Sequence, residues 1–170
     1  MKTIDSPPLI LPGQEKLPLE ETPRKFSVYL AGSSKDTTRV RLIAGRLAEA
    51  GIAITHRWFD LPKLGHDAAL SDDEQREVSD QCRAGIYQAD AFWLLMPGHG
   101  LPPSSSAIEL GRALARRDLA VVHARGVAYP VIVTGGACRS IALTVDADLR
   151  STFDNDGLLY LASLARAVSP

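Results

Sequence analysis

The chain has 170 residues, 45% of them hydrophobic and 23% charged, which suits one globular domain with a sizeable core and excludes a disordered or fibrous protein. The formal net charge is −1 with a pI near 6.4, so no bulk field draws the chain to nucleic acid or to an anionic membrane, and any anion it binds must be held locally. Cys82 and Cys138 stand far apart and outside any CxxC spacing, and the scattered His56, His66, His99 and His123 form no HExxH pair. Free thiols in a reducing compartment are expected, with no structural zinc and no cofactor. No stretch approaches the ~18 apolar residues of a membrane helix. The opening "MKTIDSPPLILPGQEK" has only a short apolar run broken by prolines, too short for a signal-peptide core, so the expected location is cytoplasmic.

Residues 1–24 hold Pro7, Pro8, Pro12, Pro18 and Pro23, spaced so that neither helix nor inner strand persists. They read as an arm, either flexible or docked through "LILP", ahead of a single α/β domain over 25–170. "KFSVYLAG" (25–32) reads as a buried first strand. Between Asp36 and Ala50, Val40, Ile43, Ala44 and Leu47 fall on one helical face, with Gly51 at the C-terminal capping position. "IAITHRWF" (52–59) reads as a second strand. Ser71-Asp72-Asp73-Glu74 is a capping box opening a helix with Val78, Cys82, Ile86 and Ala89 as its inner stripe. "AFWLLMP" (91–97) is the third expected strand. A helix follows from about residue 106, with no breaker before Gly126. "YPVIVTGG" (129–136) and "SIALTV" (140–145) read as the fourth and fifth strands, and a last helix turns Leu158, Leu161, Leu164 and Ala165 inward.

Strict alternation of strand and helix predicts a doubly wound α/β fold, flavodoxin- or Rossmann-like, with a mostly parallel five-stranded sheet and helices on both faces. Ligands of such sheets sit beyond the carboxyl ends of the strands, near the point where strand order reverses. Three loops are expected there: "AGSSKDTTR", "MPGHGLPPSSS" and "TGGACRS". The first lacks the spacing of a P-loop or of a dinucleotide fingerprint. It still offers Gly32, Ser33, Ser34 and, in the following helical turn, Arg39, a set able to hold one phosphate or carboxylate or to form an ordinary polar turn.

Glu109 ends the second of these loops and carries two readings. Ser106-Ala107-Ile108-Glu109 is an S-x-x-E capping box, in which Glu109 only starts a helix. Alternatively, a helix N-terminus keeps a carboxylate ionised, as a nucleophile or an oxocarbenium stabiliser requires. Tyr29 lies near the end of the first strand, and Trp58 is either packing or a base-stacking platform. His99, in a Gly/Pro loop before Glu109, is either solvated or a proton donor.

The ordered set "VYLAGSS", "ITHRW", "IYQADAFWLLMP", "SSSAIELGRAL" and "PVIVTG" resembles the nucleoside 2-deoxyribosyltransferase family and its relatives that hydrolyse deoxynucleoside monophosphates, over residues 26 to about 165. The resemblance implies that Glu109 is the nucleophile, that Tyr29 touches it, and that Gly32, Ser33 and Ser34 face the 5′ end of a nucleotide. It shifts the reading of Glu109 from cap to catalysis. The family commonly has an aspartate on the helix ahead of the "AD" pair, where it helps protonate or orient the leaving base. That position here is Cys82, and the stripe it shares with Val78 and Ile86 predicts a buried, protonated thiol with no chemical role. Pro103 stands where the transferases tend to have an acidic residue.

The function expected from the resemblance is that of an N-glycosidase or N-(deoxy)ribosyltransferase acting on a nucleoside, a nucleotide or a nucleotide-derived cofactor. Its partners would be that small molecule and further copies of the chain as a homodimer or higher oligomer, without nucleic acid or membrane. Two alternatives stand beside it. One is a non-catalytic module binding a nucleotide or an NAD metabolite. The other is a TIR-like NAD glycohydrolase, which rests on fold analogy.

Overall fold

The computed structural model describes residues 25–61, 70–98, 100, 102–122, 128–136 and 142–168; the 1–24 arm and His99 lie outside them. Five strands, β1 (Ser27–Ala31), β2 (Ala53–Ile54), β3 (Ala91–Leu95), β4 (Val131–Thr134) and β5 (Leu149–Ser151), form one sheet in the order β2-β1-β3-β4-β5, every neighbouring pair parallel. Helices α1 (Thr37–Glu49) and α4 (Asp154–Val168) pack together, as do α2 (Asp72–Gln88) and α3 (Ser104–Val122), giving the expected doubly wound α/β architecture. Every residue of the inner strands β1, β3 and β4 is buried, so apart from Ser27 and Thr134 at two strand ends they read as apolar runs rather than alternating ones. The strand order reverses between β1 and β3. Among the described residues, no helix is long and apolar enough to cross a membrane.

Three local expectations fail, each for a physical reason. The strand expected over 52–59 shrinks to Ala53–Ile54, and Trp58–Asp60 is a 3-10 turn. A strand would send the consecutive Trp58 and Phe59 to opposite faces of a sheet edge, whereas the turn buries both, at 6% and 1% exposure, and the Arg57–Asp60 ion pair at 2.7 Å closes it. The strand expected over 140–145 is a 3-10 turn in its described part, Ala142–Asp146, and the fifth strand comes later, at Leu149–Ser151. Asp148 fixes that entry by accepting the Val131 amide at 2.7 Å.

The third correction concerns α3. The Pro103 carbonyl accepts the Ala107 amide at 3.1 Å, so the helix begins at Ser104, and Ser106 is already inside it. The 106–109 capping box is therefore not formed. The same pattern at Ser71 is formed in full: the Ser71 hydroxyl accepts the Glu74 amide, and Glu74 accepts the Ser71 amide at 2.9 Å.

Candidate active site

The site is built where the strand order reverses, on the face covered by α2 and α3. Tyr29 is fully buried, stacked on Phe92 of the adjacent strand with ring centroids 5.8 Å apart. Its hydroxyl donates to Glu109 Oε1 at 2.7 Å. Ser106, one turn before Glu109, is 1% exposed and donates its hydroxyl to the Gly32 carbonyl at 3.0 Å. The serine expected to cap α3 thus ties the start of that helix to the end of β1. That tie sets the register at which Glu109 meets Tyr29.

Helix α2 supplies the third wall. It approaches β1 so closely at Gly85 that a Cβ there would lie 2.9 Å from both Tyr29 Cδ2 and His56 Cβ. The Arg116 guanidinium holds the end of α2, donating to the Ile86 and Ala89 carbonyls. This close seat brings the Cys82 thiol to the wall of the same pocket as Glu109, near enough to Tyr29 and Glu109 to perturb both. The expectation that Cys82 is a chemically isolated part of the core is therefore corrected. It does lie on the inner stripe of α2, but that stripe faces the site. Gly85→Ala is expected to cost roughly 1–3 kcal/mol, as overpacking does, and to displace α2 from Tyr29. Equal denaturation midpoints for the two proteins would show that no such wedge exists.

A pocket of about 270 Å³ opens over this cluster, at the small end of ligand clefts. Leu70, Val78 and Ile108 make its apolar walls, and Glu109, Cys82 and Arg112 are the chemistry-bearing groups among its linings. Burial pushes the Glu109 carboxyl up, and the Tyr29 hydrogen bond, the neighbouring Cys82 thiol and the Arg112 charge offset this only in part. The expectation of a carboxylate kept ionised by the helix terminus is corrected here: Glu109 lies beyond the first turn of α3, where the helix dipole fades. Burial likewise raises the Tyr29 phenol and the Cys82 thiol, so both hold their protons at neutral pH.

A carboxyl raised on folding favours the native state at low pH, and that contribution is lost as pH climbs through the folded value. Glu109→Gln keeps an oxygen for Tyr29 and removes the desolvated charge. It is expected to raise the melting temperature at pH 7–8, at about 2–4 °C per kcal/mol for a chain of this size, with the gain vanishing below pH 4. Melting curves across that range check it, and a gain that is constant with pH would sink it.

A second cavity, of about 570 Å³, lies at the carboxyl ends of β1 and β3, lined by Ser33, Ser34, Lys35, Asp36, Pro97, Gly98, Pro102 and Pro103. Pro103 and Ser105 belong to different cavities, so the two flank the start of α3. The expected anion loop thus lines an open cavity, but without Arg39. The Arg39 guanidinium makes two bonds to Asp154, at 2.7 and 2.6 Å, and donates to the Met96 carbonyl and to Asp36. Lys35, which went unremarked in the sequence, is the cation at that cavity. Trp58 is not a stacking platform either: its indole N–H is spent on the Leu30 carbonyl at 2.7 Å inside the core.

Tyr29, Glu109 and Ser106 are thus brought together, Ser33 and Ser34 face a neighbouring cavity, and Arg39 and Trp58 are structural. Arg112 and Cys82 are the additions. Arg112 was legible only as the residue one turn after Glu109 on the same helical face. Among the described residues, no cluster of three or more His, Cys, Asp or Glu side chains is placed to hold a metal. No protein-family model and no curated protein matches the sequence.

Proposed function

We propose that the chain is an N-glycosidase or N-(deoxy)ribosyltransferase that acts on a nucleoside, a nucleotide or a nucleotide-derived cofactor through Glu109. The observation that carries this reading is the 2.7 Å hydrogen bond from the buried Tyr29 hydroxyl to Glu109 Oε1 at a pocket wall. One carboxylate oxygen is held, and attack falls to the other. In this mechanism Glu109 attacks the anomeric carbon through an oxocarbenium-like transition state, and water or a second base releases the sugar, as in retaining glycosidases. The cavity at Ser33 and Ser34, on the other side of the α3 start, suits the 5′ end of a nucleotide. The proposal includes a homo-oligomeric, cytoplasmic protein, with a small molecule as its partner.

Incubation with deoxynucleosides, nucleoside monophosphates and NAD, followed by chromatography of free base, tests this reading. Release of base from at least one of them is expected, and none from any would overturn it. Cys82 favours a second reading, a binding module without turnover, since its thiol stands where the resemblance calls for a carboxylate. Ligand-induced stabilisation with no base release would select that module.

A further inference from the structure

We infer that Arg112 receives the leaving group of the proposed reaction, so that the substrates are those whose base departs as an anion rather than after protonation. This rests on the glycosidase reading of Glu109 and extends it to the substrate class. Among the described arginines, Arg46, Arg112, Arg150 and Arg166 have neither a hydrogen bond nor an ion pair with a described residue, and of these Arg112 alone is not exposed. The others that are partly buried are each committed: Arg39 to Asp154, Arg116 to the end of α2, and Arg117 to Asp118 and Asp148. The Arg112 charge reaches Glu109, but no hydrogen bond or ion pair to a described residue holds the guanidinium, so its N–H donors are left for an anion bound in the pocket.

Its position names which part of the ligand that is. Arg112 follows Glu109 by one turn on the same face of α3, away from the helix start and the Ser33–Ser34 cavity. A nucleotide with its 5′ end at that cavity and its anomeric carbon at Glu109 therefore directs its base toward Arg112. Leu70, Val78 and Ile108 line the same pocket, so a base bound against them displaces water from around Arg112 and strengthens the charge interaction there.

Among the described residues, the pocket also offers no good acid for the base. Tyr29 and Cys82 hold their protons, and Glu109 is the nucleophile. As the bond from Glu109 to the anomeric carbon forms, the C–N bond breaks and its electron pair leaves on the base nitrogen, opposite the Arg112 charge. A water oxygen then bonds the anomeric carbon as the Glu109 ester breaks, and the proton lost by that water neutralises the base anion. Arg112 acts as fixed charge and gives up no proton.

Calorimetric binding of orotate, an anionic pyrimidine, against neutral uracil tests the subsite without turnover. The wild type is expected to favour orotate at least ten-fold. Arg112→Gln is expected to abolish the preference, and Arg112→Lys to keep part of it. No preference in the wild type, no binding of either base, or a preference that survives Arg112→Gln overturns the inference. If the preference holds but no nucleoside or nucleotide loses its base, the anion subsite stands and the glycosidase reading falls. Where turnover exists, the loss of kcat in Arg112→Gln should be greater for 2′-deoxyuridine than for its 5-fluoro analogue, whose base leaves more readily, and equal losses would count against a leaving-group role.

Discussion

Glu109→Gln is expected to abolish base release from whichever substrate the wild type cleaves, with turnover falling on the order of 10³-fold or more, as when a nucleophile that works as part of a unit is removed. The substitution isolates chemistry from folding. Glutamine keeps the oxygen that accepts the Tyr29 hydroxyl at 2.7 Å, and α3 does not depend on this side chain for its cap. Substrate should therefore still bind, and the loss should appear in kcat. Full turnover in a folded Glu109→Gln protein would overturn the mechanism.

The pH dependence follows from the same environment. A nucleophilic carboxylate must be ionised, and burial lifts Glu109 above the ordinary glutamate value of about 4.3. The acid limb of kcat/KM should accordingly lie above that value, with activity rising as pH rises through it. Tyr29→Phe removes a hydrogen bond that favours the ionised form, so the limb should move higher still. A limb at or below the free-glutamate value would mean that another group governs the rate.

The sheet was legible from the sequence because buried parallel strands are continuous apolar runs, and "VYLAG", "AFWLL" and "VIVT" need no partner to be recognised. The edge strands were not. Ala53–Ile54 and Leu149–Ser151 are too short to show a period, and β5 contains the exposed Arg150. The two S-x-x-E patterns show where local reading ends. At Ser71 the pattern is a cap because the serine stands directly before the first helical residue, Asp72. At Ser106 the helix has already begun two residues earlier, and the hydroxyl donates to the Gly32 carbonyl, far away in sequence, while Tyr29 donates to Glu109. Glu109 and Tyr29 stand out in the sequence by their places at the sheet's edge, their joint role came from the resemblance, and their pairing needs β1 beside α3. The roles of Arg39 and Trp58 were decided by carbonyls and carboxylates that no local pattern identifies.

Arg39→Ala is expected to destabilise the fold by roughly 2–4 kcal/mol, somewhat below the 3–5 kcal/mol of a fully buried pair because its side chain and that of Asp154 are 23% and 22% exposed. The guanidinium joins three elements: Asp154 opens α4, the Met96 carbonyl ends the run of β3, and Asp36 precedes α1. Asp154 in turn accepts the Thr134 hydroxyl at 2.7 Å, and Thr134 accepts the Trp93 indole N–H at 2.9 Å, so removing Arg39 leaves a partly buried carboxylate with one strong partner fewer. Gly135 closes around the same group: a Cβ there would lie 2.8 Å from Arg39 Nη2 and 2.3 Å from the Met96 carbonyl oxygen. Burial raises the Asp154 carboxyl, but the Arg39 and Thr134 hydrogen bonds and the Arg39 charge outweigh it, and the net shift is downward. A carboxyl lowered on folding stabilises above its unfolded value, about 3.9 for aspartate, and that stabilisation is lost as pH falls through the folded value. The gap in stability between the wild type and Arg39→Ala should therefore be full at pH 7 and narrow below pH 4. Urea denaturation at both pH values measures it. An Arg39 that instead held a substrate phosphate would give the opposite pattern, near-native stability with selective loss of nucleotide over nucleoside binding, and that outcome would return the residue to the ligand site.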